Sequence, residues 1–288
     1  MKKFIAILAI LVALCLAAAG CAAPAEEAAA PTGEEPPVEE AAPAEEAAEQ
    51  VELIVFAAAS LQETLTQIGE LYQAVAPNVT LIFSFDSSGT LKTQIQEGAD
   101  CDLFISAAQK QMNQLDAAAD PEVNTEGLDF VEQGTRVDLL ENKVALVVPE
   151  GNPANINSFA DIANCESIAL GNDDVPVGQY SIEILTNLGL LEGLESGSKI
   201  TYGSNVKEVT TQVSEGAVDC GIVYATDAFS AGLTIVDQAQ EDMCSQVIYP
   251  AAVLNISQHL EEAKAFLAYL QGEEATAVFE SVGFAPVG

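Results

Sequence analysis

Short apolar runs alternate along this chain with segments in which apolar residues recur every three or four positions. The first run is "ELIVF" at residues 52–56. A helical pattern follows, and its apolar stripe consists of Leu61, Leu65, Ile68, Leu71 and Tyr72. The runs "VTLIFSF" and "CDLFISA" come next, with a second helical segment between them at residues 89–98. This alternation is typical of parallel strands that helices cover on both faces of a sheet.

The same alternation starts again after the run "NKVALVV". The runs "SIALGN", "KITYG" and "CGIVYA" are separated by helical patterns, and the chain closes with "VIYPAAVL" and an amphipathic helix. The pattern therefore predicts an α/β protein of two lobes with a ligand cleft between them. Residues 51–141 plus 249–288 form the first lobe in this prediction, and residues 142–248 form the second. Open α/β sheets bind ligands beyond the carboxyl ends of their strands.

The first twenty residues have the layout of a secretory signal. Lys2 and Lys3 precede a long apolar run, which ends in small residues. We therefore predict a signal peptide at residues 1–20. The ending "AAGC" resembles a lipoprotein cleavage box, in which Cys21 becomes the lipidated first residue. Such boxes usually begin with Leu, whereas this one begins with Ala18.

Residues 21–50 predict an acidic Ala/Glu/Pro tether. The segment from residue 22 onward carries nine glutamates and no basic or aromatic residue, so it has little apolar surface to bury. We expect it to connect a lipid anchor, on the outer side of the cell membrane, to the folded part.

The net charge excludes one class of partner. The chain carries 44 acidic and 9 basic residues, a formal charge of −35, and it stays strongly acidic without the tether. Nucleic-acid binding needs a basic face, so we expect no such partner. An anionic ligand would be repelled at long range, and a site for one must depend on local dipoles.

Enzyme and metal motifs are missing from the sequence. Neither a GxSxG elbow nor a Walker lysine is present, no cysteines have CxxC spacing, and His259 is the one histidine. We predict no catalytic residue, no cofactor and no directly bound metal cation, although hydrolysis by a carboxylate pair stays open. Disulfides or free thiols are equally open for the four cysteines of the core, Cys101, Cys165, Cys220 and Cys244.

Hydrogen-bond donors cluster where strands end and helices begin. Ser60 follows the first run, and Ser88 follows the second. Pro176 in "VPVGQY" and the segment "SNVKEV" indicate two further helix starts, and Tyr224 ends "GIVY". Unpaired amides and the positive end of the dipole make a helix N-terminus favourable for anions. We expect Ser60 both to cap its helix and to donate to a ligand.

Five segments together resemble the molybdate-binding proteins of ABC transporters: "VFAAASLQETL", "FSFDSSGTLKTQI", "ADCDLFISA", "VPVGQY" and "GIVYATDA". The resemblance covers residues 52–287 and implies a type II periplasmic-binding-protein fold. It also implies that two serine hydroxyls, two backbone amides and a tyrosine hydroxyl hold the oxyanion. The matching positions are Ser60, Ser88, Val177, Val206 and Tyr224. Val177 stands where the family usually has Ala, which matters little for a contact through the amide.

Asp86 departs from the family pattern, because other members often have a small residue before the serine pair. A carboxylate in the cleft would repel a dianion or accept a proton from a protonated anion such as phosphate. We expect Asp86 to turn outward and to hydrogen-bond within its own turn.

The sequence thus predicts a monomeric, lipid-anchored and exported binding protein that delivers molybdate, and tungstate as well, to an ABC permease and its ATPase. Three alternatives stay open. They are the same fold with phosphate or sulfate as ligand, a lipoprotein hydrolase, and an adhesin with a vestigial cleft.

Overall fold

A computed structural model describes residues 49–287 of the chain. The predicted signal peptide, the lipidation of Cys21 and the tether up to residue 48 lie outside these residues. Among the residues described, no helix is both long and apolar enough to cross a membrane.

The first of two sheets is built from both ends of the described chain. Its strands are β1 (Val51–Ala58), β2 (Val79–Asp86), β3 (Leu103–Ile105), β4 (Val137–Asn142), β10 (Val247–Val253) and β11 (Ala285–Pro286), in the order β11-β4-β10-β3-β1-β2. β1 runs parallel to β2 and β3, whereas β10 runs antiparallel to β3 and β4. The prediction of a parallel sheet is therefore wrong in part: the sheet is mixed, because β10 enters it from the opposite direction.

Five helices belong to this first sheet: α1 (Gln62–Val75), α2 (Ser88–Gln96), α3 (Gln109–Asn113), α8 (Leu260–Leu270) and α9 (Glu273–Ser281). α1 packs on β2, α8 and α9. Most of its predicted stripe is buried, and the ring of Tyr72 lies 4.9 Å from that of Phe266. Leu71 is the exception, since its side chain is 39% exposed.

The second sheet holds the middle of the chain. Its strands are β5 (Val144–Val148), β6 (Ile168–Gly171), β7 (Ile200–Gly203), β8 (Cys220–Tyr224) and β9 (Thr234–Gln238), in the order β7-β6-β8-β5-β9. Its helices are α4 (Pro176–Asn187), α5 (Leu191–Ser196), α6 (Val206–Ser214) and α7 (Ala225–Ser230). β6 is parallel to β7 and β8, and β5 is antiparallel to β8 and β9.

The chain crosses between the sheets twice. It passes from β4 to β5 at Lys143, and it returns from β9 to β10 through residues 239–246. We call the first sheet with its helices lobe 1 and the second with its helices lobe 2. The two-lobed α/β fold that the pattern predicted is confirmed.

Strand register decides which turns become neighbours. β1 and β2 pair along their whole length, with Ala58 opposite Asp86 at the carboxyl ends. The turn after β1 therefore lies beside the turn after β2, and both face lobe 2.

The C-terminus contains more structure than the pattern indicates. After α8 the chain forms α9 and then β11, which pairs with β4. A two-residue strand is too short to give an alternating pattern, which explains why sequence reasoning missed it.

Candidate functional site

Four of the five predicted ligand positions line one small cavity between the lobes. Ser60 and Ser88 come from lobe 1, and Val206 and Tyr224 from lobe 2. The remaining lining residues are Ala58, Ala59, Asp86, Ser87, Ala107, Val175 and Pro176. Val177 follows Pro176 in α4 and is completely buried. The space open to the centre of a water-sized sphere is about 10 Å³, which is about one water molecule.

A much larger groove lies elsewhere. It measures about 680 Å³ by the same criterion and lies along the two crossings between the lobes, at residues 141–144 and 238–247. Its walls are mainly polar, and it contains none of the predicted ligand positions. We place the candidate site in the small cavity because hydroxyls and helix N-termini converge there. The larger volume of the groove is not by itself evidence of a binding site.

Ser60 sits in a 3₁₀ helix, Ala59–Leu61, directly after β1. Its hydroxyl oxygen lies 2.9 Å from the hydroxyl oxygen of Tyr249, and both residues are buried. The expectation that Ser60 caps its helix is wrong, because neither the 3₁₀ helix nor α1 has a side-chain cap. The side chain turns toward Tyr249 instead.

The two serines after β2, Ser87 and Ser88, form different hydrogen bonds. Ser87 is the N-cap of α2, and its hydroxyl oxygen accepts a hydrogen bond from the Thr90 amide at 3.1 Å. Ser88 is fully buried, and its hydroxyl oxygen accepts from the Ala107 amide at 2.9 Å. An amide N–H can only donate, so the Ser88 hydrogen stays available for another acceptor.

Lobe 2 supplies helix N-termini. Val206 is the first residue of α6, whose N-cap Asn205 accepts from the Glu208 amide at 3.1 Å. Val177 is the second residue of α4, which begins at Pro176. Amides in the first turn of a helix have no acceptor within the helix, so they are available to an anion.

Tyr224 ends β8 and lies at the N-cap position of α7. Its hydroxyl is 3.4 Å from the carbonyl oxygen of Ala107 in lobe 1, which is a long contact. Burial, together with the neighbouring Tyr249, raises the pKa of Tyr224 well above the ordinary value of 10. The phenol is therefore neutral and able to donate.

Asp86 ends β2 and also lines the cavity. Its Oδ1 accepts from the Ser87 amide at 2.7 Å, so the expected bond within its own turn is present. The expectation that it turns outward is wrong, since the same oxygen also lies 3.4 Å from Nδ2 of Asn205 in lobe 2. Asp86 thus connects the two lobes at the edge of the cavity.

Lys207 forms the main electrostatic connection between the lobes. Its ammonium group lies 2.7 Å from Glu63 of α1 and 3.0 Å from Asp227 of α7. Asp227 is completely buried, and burial raises its pKa to about 6 although Lys207 acts in the opposite direction. Burial lowers the Lys207 pKa, but Asp227 and Glu63 together raise it above its ordinary value. Lys207 follows Val206 directly, yet local sequence gives no sign of its pairing with Glu63.

Two further residues near the site were missed by sequence reasoning. Asn142, at the end of β4, donates to the hydroxyl oxygens of Thr226 at 2.8 Å and Tyr249 at 3.2 Å. Ala107 touches Ser88 through its amide and Tyr224 through its carbonyl. Neither carries a motif, so no signal in the sequence pointed to them.

The four core cysteines are free thiols in this structure. Cys101, Cys165 and Cys220 are buried, and Cys244 is half-buried.

Comparison with known proteins identifies the family. Residues 53–285 match the family model described as bacterial extracellular solute-binding protein. The chain is 38% identical over 238 residues to a Bacillus subtilis protein that carries the provisional name of an ABC transporter substrate-binding lipoprotein, covering 82% of this chain and 87% of that protein. It is 32% identical over 244 residues to the molybdate-binding protein of Escherichia coli, covering 82% and 90% respectively.

A solved structure gives the same result. It is described provisionally as the substrate-binding domain of a molybdenum ABC transporter from Clostridium difficile, and it superposes with a TM-score of 0.61 at 34% identity. The alignment covers 83% of this chain and all of that one.

Proposed function

Because the chain belongs to the family of bacterial extracellular solute-binding proteins, we propose that it binds molybdate in the cavity between its lobes and serves an ABC importer. The observation that carries this proposal is the convergence of neutral donors on the cavity. Ser60 and Ser88 line it from lobe 1, and Val206 and Tyr224 line it from lobe 2, while Val177 follows the lining residue Pro176 in α4.

The donors suit a fully deprotonated tetrahedral dianion. Two hydroxyls, a neutral phenol and the backbone amides of Val177 and Val206, which begin α4 and α6, are able to donate. Lys207 follows the lining residue Val206, but Glu63 and Asp227 already pair with it. The site therefore depends on oriented dipoles and on hydrogen bonds to a charged acceptor, which are stronger than neutral ones.

The relatives support molybdate as the ligand. Several similar proteins are named as molybdate-binding proteins, at 30% identity or more in Escherichia coli, Haemophilus influenzae and Mycobacterium tuberculosis. We extend the proposal to tungstate, because the donors suit any tetrahedral dianion and the size of the cavity must select among them.

The two-lobed fold supports the proposal that the protein delivers its ligand to a permease. Ligand contacts from both lobes are complete only when the lobes close, so binding shifts the population toward the closed form. In our proposal the permease recognises that form and an ATPase drives import, while the binding protein itself catalyses nothing. We further propose that it is an exported monomer, held at the outer face of the membrane by a lipid on Cys21.

One observation favours a second candidate ligand. Asp86 lines the cavity, and a carboxylate there is able to accept a hydrogen bond from hydrogen phosphate, whereas it repels a dianion that has no hydrogen to donate. Phosphate therefore stands as the alternative oxyanion.

Calorimetric titration of the purified protein with molybdate, tungstate, sulfate and phosphate tests the proposal. We expect one-to-one binding of molybdate and tungstate and no heat from the other two. Binding of phosphate without molybdate would shift the assignment to the second candidate. Silence with all four anions would refute an oxyanion site.

A further inference from the structure

A chain of buried hydrogen bonds leads from lobe 2 to the hydroxyl of Ser60. Thr226 contacts Asn142, Asn142 contacts Tyr249, and Tyr249 contacts Ser60. All four residues are buried, and neither Tyr249 nor Asn142 lines the cavity. The direction of each bond decides whether Ser60 presents a donor or an acceptor to a ligand.

The direction begins at Asn142. Its Oδ1 accepts from the Lys143 amide at 2.8 Å, and because an amide N–H can only donate, this bond fixes which end of the side chain is oxygen. The Nδ2 group then faces both Thr226 and Tyr249, and each of its two hydrogens has an acceptor. The Asn142 side chain is therefore held in one orientation.

Tyr249 transmits that direction. Its hydroxyl oxygen accepts from Asn142, which has no lone pair on Nδ2 to offer in return. The single hydrogen of Tyr249 is then free to point at the Ser60 oxygen, 2.9 Å away. Burial raises the pKa of Tyr249 well above 10, so the phenol keeps this hydrogen.

The Ser60–Tyr249 contact is compatible with either direction, and when Tyr249 donates, Ser60 accepts and its own hydrogen is left for the cavity. Ser88 reaches the same state by a different route, since the Ala107 amide donates to it. The bond from the Ala107 amide to the Ser88 hydroxyl has only one possible direction, because an amide N–H can only donate. The bond between Tyr249 and Ser60 would instead reverse if Asn142, the other partner of Tyr249, became an acceptor. Ser60 is therefore the serine whose direction depends on side chains.

We propose that Tyr249 and Asn142 are positioning residues that hold Ser60 as a hydrogen-bond donor, and that they thereby favour fully deprotonated oxyanions over protonated ones. This inference rests on the proposed function. A Ser60 hydroxyl held as a donor cannot accept the hydrogen of hydrogen phosphate, which leaves that hydrogen to the Asp86 carboxylate, whereas a Ser60 hydroxyl that is free to rotate is able to accept it.

Tyr249→Phe removes the constraint without touching the cavity. We expect calorimetry on the purified protein to show molybdate binding weakened by less than about tenfold, because the freed Ser60 hydroxyl is still able to donate and only the fixed direction of its bond is lost. The ratio of molybdate to phosphate affinity should fall as well. Tyr72→Phe is the matched control, because Tyr72 is a buried tyrosine of lobe 1 outside this hydrogen-bond chain, and we expect it to leave both affinities unchanged.

Asn142→Asp keeps the shape and converts the donor into an acceptor. Measured at a pH where phosphate is entirely the dianion, the added charge weakens the binding of both anions alike, whereas a reversed bond at Ser60 moves the ratio toward phosphate. A purely structural role for either residue would lower the melting temperature without ligand and leave that ratio unchanged.

A double-mutant cycle with Ser60→Ala completes the test. If Tyr249 acts through Ser60, then Tyr249→Phe has no further effect on affinity or ratio once Ser60 is alanine. An equal effect in both backgrounds, or an unchanged ratio in folded Tyr249→Phe and Asn142→Asp, would overturn the inference while leaving the proposed function intact. Failure of the wild-type protein to bind any oxyanion would refute the proposed function, and this inference with it.

Discussion

The backbone amide of Gly89 donates a hydrogen bond to the carbonyl oxygen of Asp174 at 3.0 Å. Gly89 belongs to α2 of lobe 1, and Asp174 precedes α4 of lobe 2. This bond joins the lobes directly beside Ser88 and Pro176. The close approach requires glycine, because a Cβ atom on residue 89 would lie 2.4 Å from that oxygen.

Gly89→Ala should therefore weaken ligand binding without changing any ligand position. The added methyl group meets backbone, which has little room to move, so the lobes cannot close to this distance. We expect at least tenfold weaker molybdate binding by calorimetry, with helix content unchanged by circular dichroism. Gly193→Ala is the control, since a Cβ atom added at Gly193 would have no neighbour within 4 Å, and its affinity should match the wild type. Equal affinities for the two variants would show that this contact is not needed for binding.

Ser87 and Ser88 offer a matched pair of substitutions. Ser87→Ala removes a helix cap, so we expect the free energy of unfolding to fall by about 1 kcal/mol, with little change in affinity. Ser88→Ala removes a donor to a charged ligand and leaves the Ala107 amide unpaired. We expect its affinity to fall by about 1.5–3 kcal/mol. Urea denaturation and calorimetry on both variants separate the two effects. A loss of affinity in Ser87→Ala and a loss of stability alone in Ser88→Ala would show that Ser87, not Ser88, binds the anion.

Lys207→Met should disturb the interface between the lobes more than Glu63→Gln. The Glu63 carboxylate is half exposed, so its ion pair contributes only about 0.2–1 kcal/mol. Loss of Lys207 also leaves Asp227 buried without a counter-charge, which costs several kcal/mol. We expect Lys207→Met to lower both stability and affinity, and Glu63→Gln to lower affinity slightly.

The control for Lys207 is Lys264→Met. Lys264 forms ion pairs with Glu132 and Glu261, and all three residues belong to lobe 1. Its loss should leave affinity unchanged at every salt concentration. If Lys264→Met and Lys207→Met lower affinity equally, the loss comes from the change in net charge and not from the contact between the lobes.

Asp227 predicts a pH dependence of stability. Its pKa in the folded state is about 6, above the ordinary 3.8, so the folded state binds this proton more tightly than the unfolded state. The stabilisation is complete below about pH 4 and is lost as the pH rises through 6. The shift corresponds to about 3 kcal/mol.

Asp227→Asn should remove this dependence. We expect the difference in unfolding free energy between wild type and variant to change between pH 4 and 6.5, as measured by urea denaturation. Asp161→Asn is the contrast: hydrogen bonds from the Asn157 amide and the Ser158 hydroxyl lower the pKa of Asp161, so its difference should change in the opposite direction as the pH falls. A constant difference for Asp227→Asn would mean that Asp227 titrates alike in the folded and unfolded states.

Local patterns were sufficient for most of the fold. Apolar runs and helical periodicity located the main strands and helices, and the helix starts at Pro176 and Val206 were read correctly. These features depend on residues within a few positions of one another. Ser60 shows the limit of such reasoning: a serine at a helix start indicates a cap, but Tyr249, 189 residues away, holds its hydroxyl instead.

By itself, the sequence determined the alternation of elements, the donor types at the strand ends and the resemblance of their segments to an oxyanion-binding family. Tertiary structure alone decided that Lys207 meets Glu63, that Gly89 meets Asp174, and that Tyr249 turns the hydroxyl of Ser60. The physical reason is that secondary structure follows from interactions between near neighbours, whereas the direction of a buried hydrogen bond follows from whichever distant partner the fold delivers. The residue types therefore determine which groups are able to donate, and their neighbours in the folded structure determine the direction of each hydrogen bond.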